Sequence, residues 1–292
     1  MKKTVTLISL LVLVCQLKTS AQTTNNTLNF LNQNWETTQL SNGLTWKHHQ
    51  FTDKSLFNAN QNIHIIQSKR KVWWKRRRSI PAFVSDGNSL ALTSILAKQN
   101  AALAAINGSF FDTKKGGAVD FIKINGTIFD TTRHNGKRLA EHQMSALVIR
   151  NNQMSIAKAR DSVDFKWETN INAPNVMVTG PLLIWNGKRG PLSINAFNDN
   201  RHPRTCACVT HKNELILLTA DGRTAEAQGL NLHELTTLML ELNCKTAVNL
   251  DGGGSTTLYL DGKGVVNMPC DNKQFDHEGE RKVSNILILK AN

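Results

Sequence analysis

The sequence predicts an α+β domain: one twisted, mainly antiparallel sheet with helices packed on it. Hairpin signals recur along the chain, each an apolar alternating run, an Asn- or Asp-led turn and a second such run. Only two stretches carry helical periodicity, at residues 89–100 and 231–243. No internal repeat and no linker interrupts the 292 residues, of which 40% are hydrophobic, so a single globular domain is expected.

The chain opens with MKKTVTLISLLVLVCQLKTSAQ. Lys2 and Lys3 precede an apolar run to Cys15, and Thr19 and Ala21 stand three residues and one residue before a cut at Gln22. Residues 1–21 therefore read as a secretory signal peptide, too short for a resident membrane helix. The expected location is periplasmic or secreted after cleavage near Ala21. A lipid on Cys15 would require a small residue before it, and Val14 stands there. Loss of Lys2, Lys3 and Lys18 lowers the formal net charge from +13 to +10. A basic exported protein meets anionic envelope polymers or phosphorylated glycans rather than nucleic acid.

Residues 22–85 form an N-terminal extension expected to join the sheet. Its loudest feature is the basic run 69–78, KRKVWWKRRR. Aromatic residues in a basic patch can stack on bases; on a strand they can instead pack inward while the charges face water. For an exported chain the second, polymer-attracting reading is preferred. The first helix starts at Ser89, with Leu90, Leu92, Ile95 and Leu96 as its apolar face. Hairpins follow at Asn125-Gly126, Asn151-Asn152, Asn186-Gly187 and Asp261-Gly262. The second helix has Asn231 as N-cap and Glu234 three residues later as its capping partner, ahead of a stripe of Leu232, Leu235, Leu238, Met239 and Leu242.

Four cysteines remain after cleavage: Cys206, Cys208, Cys244 and Cys270. On a strand, Cys206 and Cys208 share one face and are poorly placed to bond each other. Disulfides and buried free thiols both remain open, whereas no second ligand pair has the spacing of a zinc finger.

Three apolar runs end on an acid or amide followed by glycine. They are AAINGSFFD (Asn107, Gly108, Asp112), LILLTADGR (Asp221, Gly222, Arg223) and AVNLDGGGS (Asn249 and Asp251 to Ser255). Singly, each is an ordinary tight turn. Delivered by neighbouring strands to one sheet end, they would gather carboxylates, amides and an arginine around a loop whose glycines let backbone N–H groups approach a phosphate or sugar oxygen. DGGGST lacks the Lys and spacing of a P-loop, and Ser255 is not in a G-x-S-x-G elbow. A Ser/His/Asp triad would have to recruit His202 or His211. Calcium or magnesium suits clustered carboxylates, yet no loop has the spacing of a known cation site, so no metal ligand is assigned.

The strings NGSFFD, VTGPLLIWNGK, RHPRTCACV, ADGR, GLNLHELTTLMLE, AVNLDGGGSTTL and ERKVSNILIL follow in order the motif series of the phosphodiester glycosidase family, which this chain resembles over about residues 100 to 290. The resemblance implies that 86–292 is the enzyme domain and that the protein is an exported hydrolase of sugar-1-phosphodiester links, of the GlcNAc-1-phosphate type. The alternative is a non-catalytic glycan-binding or exopolysaccharide-assembly protein using the same pocket. Matching positions are Asn107 and Gly108; Gly180 and Pro181; Pro203, Arg204 and Thr205; Asp221, Gly222 and Arg223; Asn249 and Asp251 to Ser255; Arg281 and Asn285. Cys206 and Cys208 depart from the family pattern, and the chain before residue 85 carries none of its motifs.

Chemistry refines those roles. In a sugar-1-phosphodiester the leaving group is a phosphate monoester, which departs as an anion without full protonation, so charge stabilisation matters more than a strong general acid. Arg204, Arg223 and the amides of Gly252, Gly253 and Gly254 suit the phosphate. A carboxylate must steady the oxocarbenium-like centre or activate water. Asp251 is the first choice and Asp221 the second.

Overall fold

A computed structural model of the chain describes residues 30–69, 79–134 and 136–292. The leader, and all of the basic run but Lys69, lie outside the described residues. The architecture is β-rich, and every strand ladder is antiparallel. Among the described residues, three large sheets and a two-stranded ladder take the place of the single sheet expected. The largest has eight strands, in the order Glu36–Gln39, Leu44–Leu56, Ala59–Ser68, Leu215–Ala220, Arg204–Thr210, Cys244–Asn249, Leu182–Trp185 and Lys188–Arg189. A five-stranded sheet runs Gln153–Lys158, Ser145–Arg150, Asn175–Val178, Ile122–Ile124 and Thr127–Asp130. Another runs Gly264–Val265, Leu258–Leu260, Ala102–Asn107, Asn285–Ala291 and Ser79–Ser85.

Period-two patterning explains how these sheets share a core. Along Arg204–Thr210, Ala207 faces a cluster with Ile106, Leu147, Met177, Leu217, Val248 and Leu287, drawn from all three large sheets. Cys206 and Cys208 face the opposite way, among Ile65, Leu218, Leu235, Leu238 and Met239. Both faces of the central strands are thus covered over most of their length, with Lys245 the exposed exception at one end. Each fully buried Leu contributes on the order of 2 kcal/mol, so Leu217→Ala or Leu235→Ala would weaken one layer.

All four hairpin turns fall where the Asn and Asp signals place them, with Asn125, Asn151, Asn152 and Asn186 in the left-handed region at φ 51–58°. The second helix spans Leu232–Glu241, and its capping box closes in both directions: Asn231 Oδ1 accepts from Glu234 N at 2.8 Å and Glu234 Oε2 from Asn231 N at 3.0 Å. The first helix is shorter than expected, Thr93–Gln99. Ala91 and Leu92 are taken instead by pairing with Val283 and Lys282, a long-range ladder that overrides local helical periodicity. Cys208 and Cys244, on adjacent strands with Cα atoms 5.9 Å apart, form a disulfide; Cys206 and Cys270 are free and buried.

Candidate active site

Strand pairing brings the motif tails together. Cys206 lies opposite Asn249 and Arg204 opposite Ala220, so Thr205, Asp221 and Asp251 emerge at one end of the eight-stranded sheet. Ile286 lies opposite Asn107, which delivers Asn107, Gly108 and Asn285 to the same place from the neighbouring sheet. Asn107 joins the two sheets. Its Nδ2 donates to the Asp251 carbonyl at 2.6 Å, and its Oδ1 accepts from Thr205 Oγ1 at 2.7 Å and Thr257 N at 3.3 Å. Asp251 N donates to the Gly108 carbonyl at 3.1 Å. Asn285 supports that loop by accepting from Ser109 N at 2.8 Å, and any Cβ on Gly108 would overlap Asn285.

Asp251 is the half-buried acid of this junction. Burial pushes its carboxyl up to about 6, against the pull of the Ser255 hydroxyl, the Gly252 N–H at 2.9 Å, Arg281 and Arg223. The Ser255 hydroxyl, itself buried, points at no acceptor with full hydrogen-bond geometry, so its influence on Asp251 is that of a nearby dipole. Arg281 is held by Asp271, whose Oδ1 accepts from Nε at 3.0 Å. Arg223 is different. It is exposed, sits at φ 68°, and has no carboxylate within 4.0 Å among the described residues. Its guanidinium lies over Gly253, where an added Cβ would come 2.9 Å from Nη2.

Two expected site residues serve the scaffold instead. Arg204 is 1% exposed and donates to the carbonyls of Leu230 (2.9 Å), Phe197 (2.6 Å) and Asn200 (3.0 Å), its guanidinium 4.8 Å from the Phe197 ring centroid. That geometry replaces the phosphate grip expected of it. Asp221 is equally buried. Its oxygens accept from Asn62 Nδ2 (2.7 Å), Asn267 Nδ2 (2.7 Å) and Met268 N (3.0 Å), so it clasps three chain segments rather than facing a substrate. Asp112 is a loop staple, 3.1 Å from Arg133.

The glycine loop also works differently from the expectation. Gly252 N binds Asp251 and Gly253 N binds the Pro203 carbonyl at 2.9 Å, so two of the three amides are engaged within the chain. The need for glycine is steric: a Cβ would strike Pro203 O at Gly252, Arg223 at Gly253, and Arg281 and Asp271 at Gly254. Thr205 is engaged by Asn107, and Asn249 Nδ2 by the carbonyls of Gly180 (2.9 Å) and Leu250 (2.6 Å), leaving Asn249 Oδ1 buried without a donor.

Sequence reading missed Asp120 and His142. Burial pushes Asp120 up to about 7, against a hydrogen bond from Gln143, and His142 Nε2 lies 3.3 Å from its free oxygen. Added Cβ atoms place the His142 backbone against Gly180, whose carbonyl caps Asn249. Phe110 packs 5.2 Å from His142 and 6.0 Å from Phe197, so an aromatic wall runs from His142 to Arg204. No motif spacing marks any of these residues. No cluster of three or more His, Cys, Asp or Glu that could hold a metal occurs among the described residues. Asp221 faces N–H donors and Asp251 faces arginines, a donor set that does not suit calcium or magnesium.

An acid flanked by arginines at a sheet junction can balance charge on both sides of a bond under hydrolysis. The chain belongs to the phosphodiester glycosidase family, whose profile matches residues 100–290. A stretch of 98 residues is 41% identical to human N-acetylglucosamine-1-phosphodiester alpha-N-acetylglucosaminidase and 39% identical to its Bos taurus counterpart. That stretch is 33% of this chain but only 19% and 18% of those proteins. The fold is similar to the zebrafish catalytic domain of the same enzyme, solved auto-inhibited by its pro-peptide: TM-score 0.63, 20% identity, 88% of each chain covered. A hypothetical protein from Synechocystis matches at TM-score 0.62 and 16% identity, over 88% of this chain and 64% of its own. No helix among the described residues is long and apolar enough to cross a membrane.

Proposed function

We propose that the protein is an exported hydrolase that cleaves sugar-1-phosphodiester links, of the N-acetylglucosamine-1-phosphate type, in a phosphorylated glycan or anionic envelope polymer. The observation that carries this reading is the pairing of a desolvated carboxylate, Asp251, with an exposed and acid-free guanidinium, Arg223. Arg223 receives the departing phosphate, whose charge it matches with two parallel donors. Arg281, already neutralised by Asp271, steadies the loop. Asp251 in its ionised form stabilises positive charge at the anomeric carbon or takes a proton from the attacking water. Asn107 fixes the Asp251 backbone, and Asp221 and Arg204 hold the strand ends that present it.

Export is supported by the leader pattern of residues 1–21 and by the Cys208–Cys244 disulfide, a bond that persists in oxidising compartments. Incubation of the protein with UDP-N-acetylglucosamine and with a methyl diester of N-acetylglucosamine-1-phosphate, assayed for free N-acetylglucosamine, tests the activity. Release that disappears in Asp251→Asn is expected. No release from either compound by folded protein would replace this reading with the non-catalytic glycan binder.

A further inference from the structure

The same three strands that carry the candidate active site also frame a second, unrelated cavity at their other ends. It measures ≈ 800 Å³ and is open to solvent. Val209, Leu215, Lys245 and Thr246 line it, from strands Arg204–Thr210, Leu215–Ala220 and Cys244–Asn249, whose opposite ends lead to Arg204, Asp221 and Asp251. At about 3.3 Å per residue, the five steps from Thr246 to Asp251 put it roughly 16 Å from the acid. None of the residues assigned to the reaction reaches it.

Its lining has a definite chemistry. Lys69, Arg150 and Lys245 are exposed and cationic, and no aspartate or glutamate lines the cavity among the described residues. None of the three has a carboxylate within 4.0 Å among the described residues. Glu214, between the lining residues Asn213 and Leu215, accepts from Gln67 Nε2 at 2.9 Å. Amide side chains from two hairpin turns, Asn151-Asn152 and Asn186, supply paired donors and acceptors at the rim. Trp185 offers one aromatic face, with Lys158 Nζ 5.1 Å from its centroid. Cations, amides and a single ring together match a sugar bearing acidic groups: charge for the anion, amides for hydroxyls, the indole for a sugar face. Among the described residues Trp185 is the one ring in the lining, where a nucleic-acid strand is held by a row of them.

We propose that this cavity is a non-catalytic subsite for an acidic glycan chain, separate from the sheet junction at Asp251. The subsite would hold a polymer on the protein through charges that screening by salt weakens. It does not depend on turnover, since binding alone defines it.

The test is calorimetric titration of the full mature protein with oligogalacturonate, with neutral dextran and with oligothymidylate of matched charge as the other arms. Wild-type protein is expected to bind oligogalacturonate best, with affinity falling as salt rises. Arg150→Ser/Lys245→Ser and Trp185→Ala should each weaken it by about tenfold or more, the scale of losing one or two charge-assisted contacts or a stacking face. Thermal melts establish that the variants are folded, and should a melt fail, the exposed single variants Arg150→Ser and Lys245→Ser replace the pair. Hydrolysis of the small methyl diester should be unchanged in all of them. Unchanged affinity in the variants, equal affinity for oligothymidylate, or equal affinity for dextran would overturn the subsite. Retained polymer binding without diester hydrolysis would refute the proposed activity and leave the subsite standing.

Discussion

Asp251→Asn should make the protein inactive and more stable in the same step. Burial holds the Asp251 carboxyl at about 6 instead of 3.8, so the folded state keeps its proton more tightly than the unfolded chain does. Ionising it therefore costs folding stability. The cost is absent below the unfolded value of 3.8, grows as pH rises, and is complete above about 6. A tenfold change in proton affinity is worth about 1.4 kcal/mol, which makes the cost at neutral pH at most about 3 kcal/mol. Asparagine stays neutral and can still accept the Gly252 N–H, so most of that cost should vanish. For a chain of this size about 1 kcal/mol moves Tm by roughly 2–4 °C, giving a rise of about 4–8 °C at pH 7 and almost none at about pH 3. Paired melts at the two pH values, with sugar release measured alongside, check it. Turnover should fall about 10²-fold or more, and wild-type activity should decline as pH drops through about 6. A variant that melts lower than wild type at pH 7, or that keeps full activity, would refute the assignment.

The two arginines should fail in opposite ways. Arg223→Ala should leave Tm nearly unchanged yet lower kcat/KM by about 10²-fold or more, as loss of a charge-stabilising donor does, whereas Arg204→Ala strips donors from three backbone carbonyls and should cost about 3 kcal/mol or more in a denaturant melt. Gly253→Ala places a Cβ against Arg223 at a backbone φ of 61°, so KM should rise about tenfold with roughly 1 kcal/mol of strain, read by kinetics and Tm together. Reducing the Cys208–Cys244 bond, which closes a 36-residue separation, should cost about 4 kcal/mol on the chain-entropy account, visible as a lower Tm with reductant.

What the sequence made legible was governed by near neighbours. The Asn-led hairpins and the Asn231–Glu234 capping box involve contacts within a few residues, and each formed where its chemistry placed it. The first helix lost its opening turn because Lys282 and Val283, almost two hundred residues away, compete for Ala91 and Leu92. The same distance explains the functional ambiguities. Whether an arginine grips a ligand or a carbonyl depends on what lies across the fold: Arg204 meets the carbonyls of Phe197, Asn200 and Leu230, while Arg223 has no carboxylate within 4.0 Å among the described residues. Asp221 and Asp251 look alike as strand-end acids, but Asn62 and Asn267 converge on only one of them. The Cys208–Cys244 pairing required a strand register that spacing could not supply.

Strand Asn285–Ala291 lies inside its sheet, between Ala102–Asn107 and Ser79–Ser85, both far from it in sequence. Without it, both neighbours present open edges, and Gly108 and Ser109 lack the Asn285 atoms that hold the loop carrying the Asp251 support. The proposed reacting centre is thus framed by a pairing between distant parts of the chain: without strand Asn285–Ala291 its acid and its arginine have nothing to aim them.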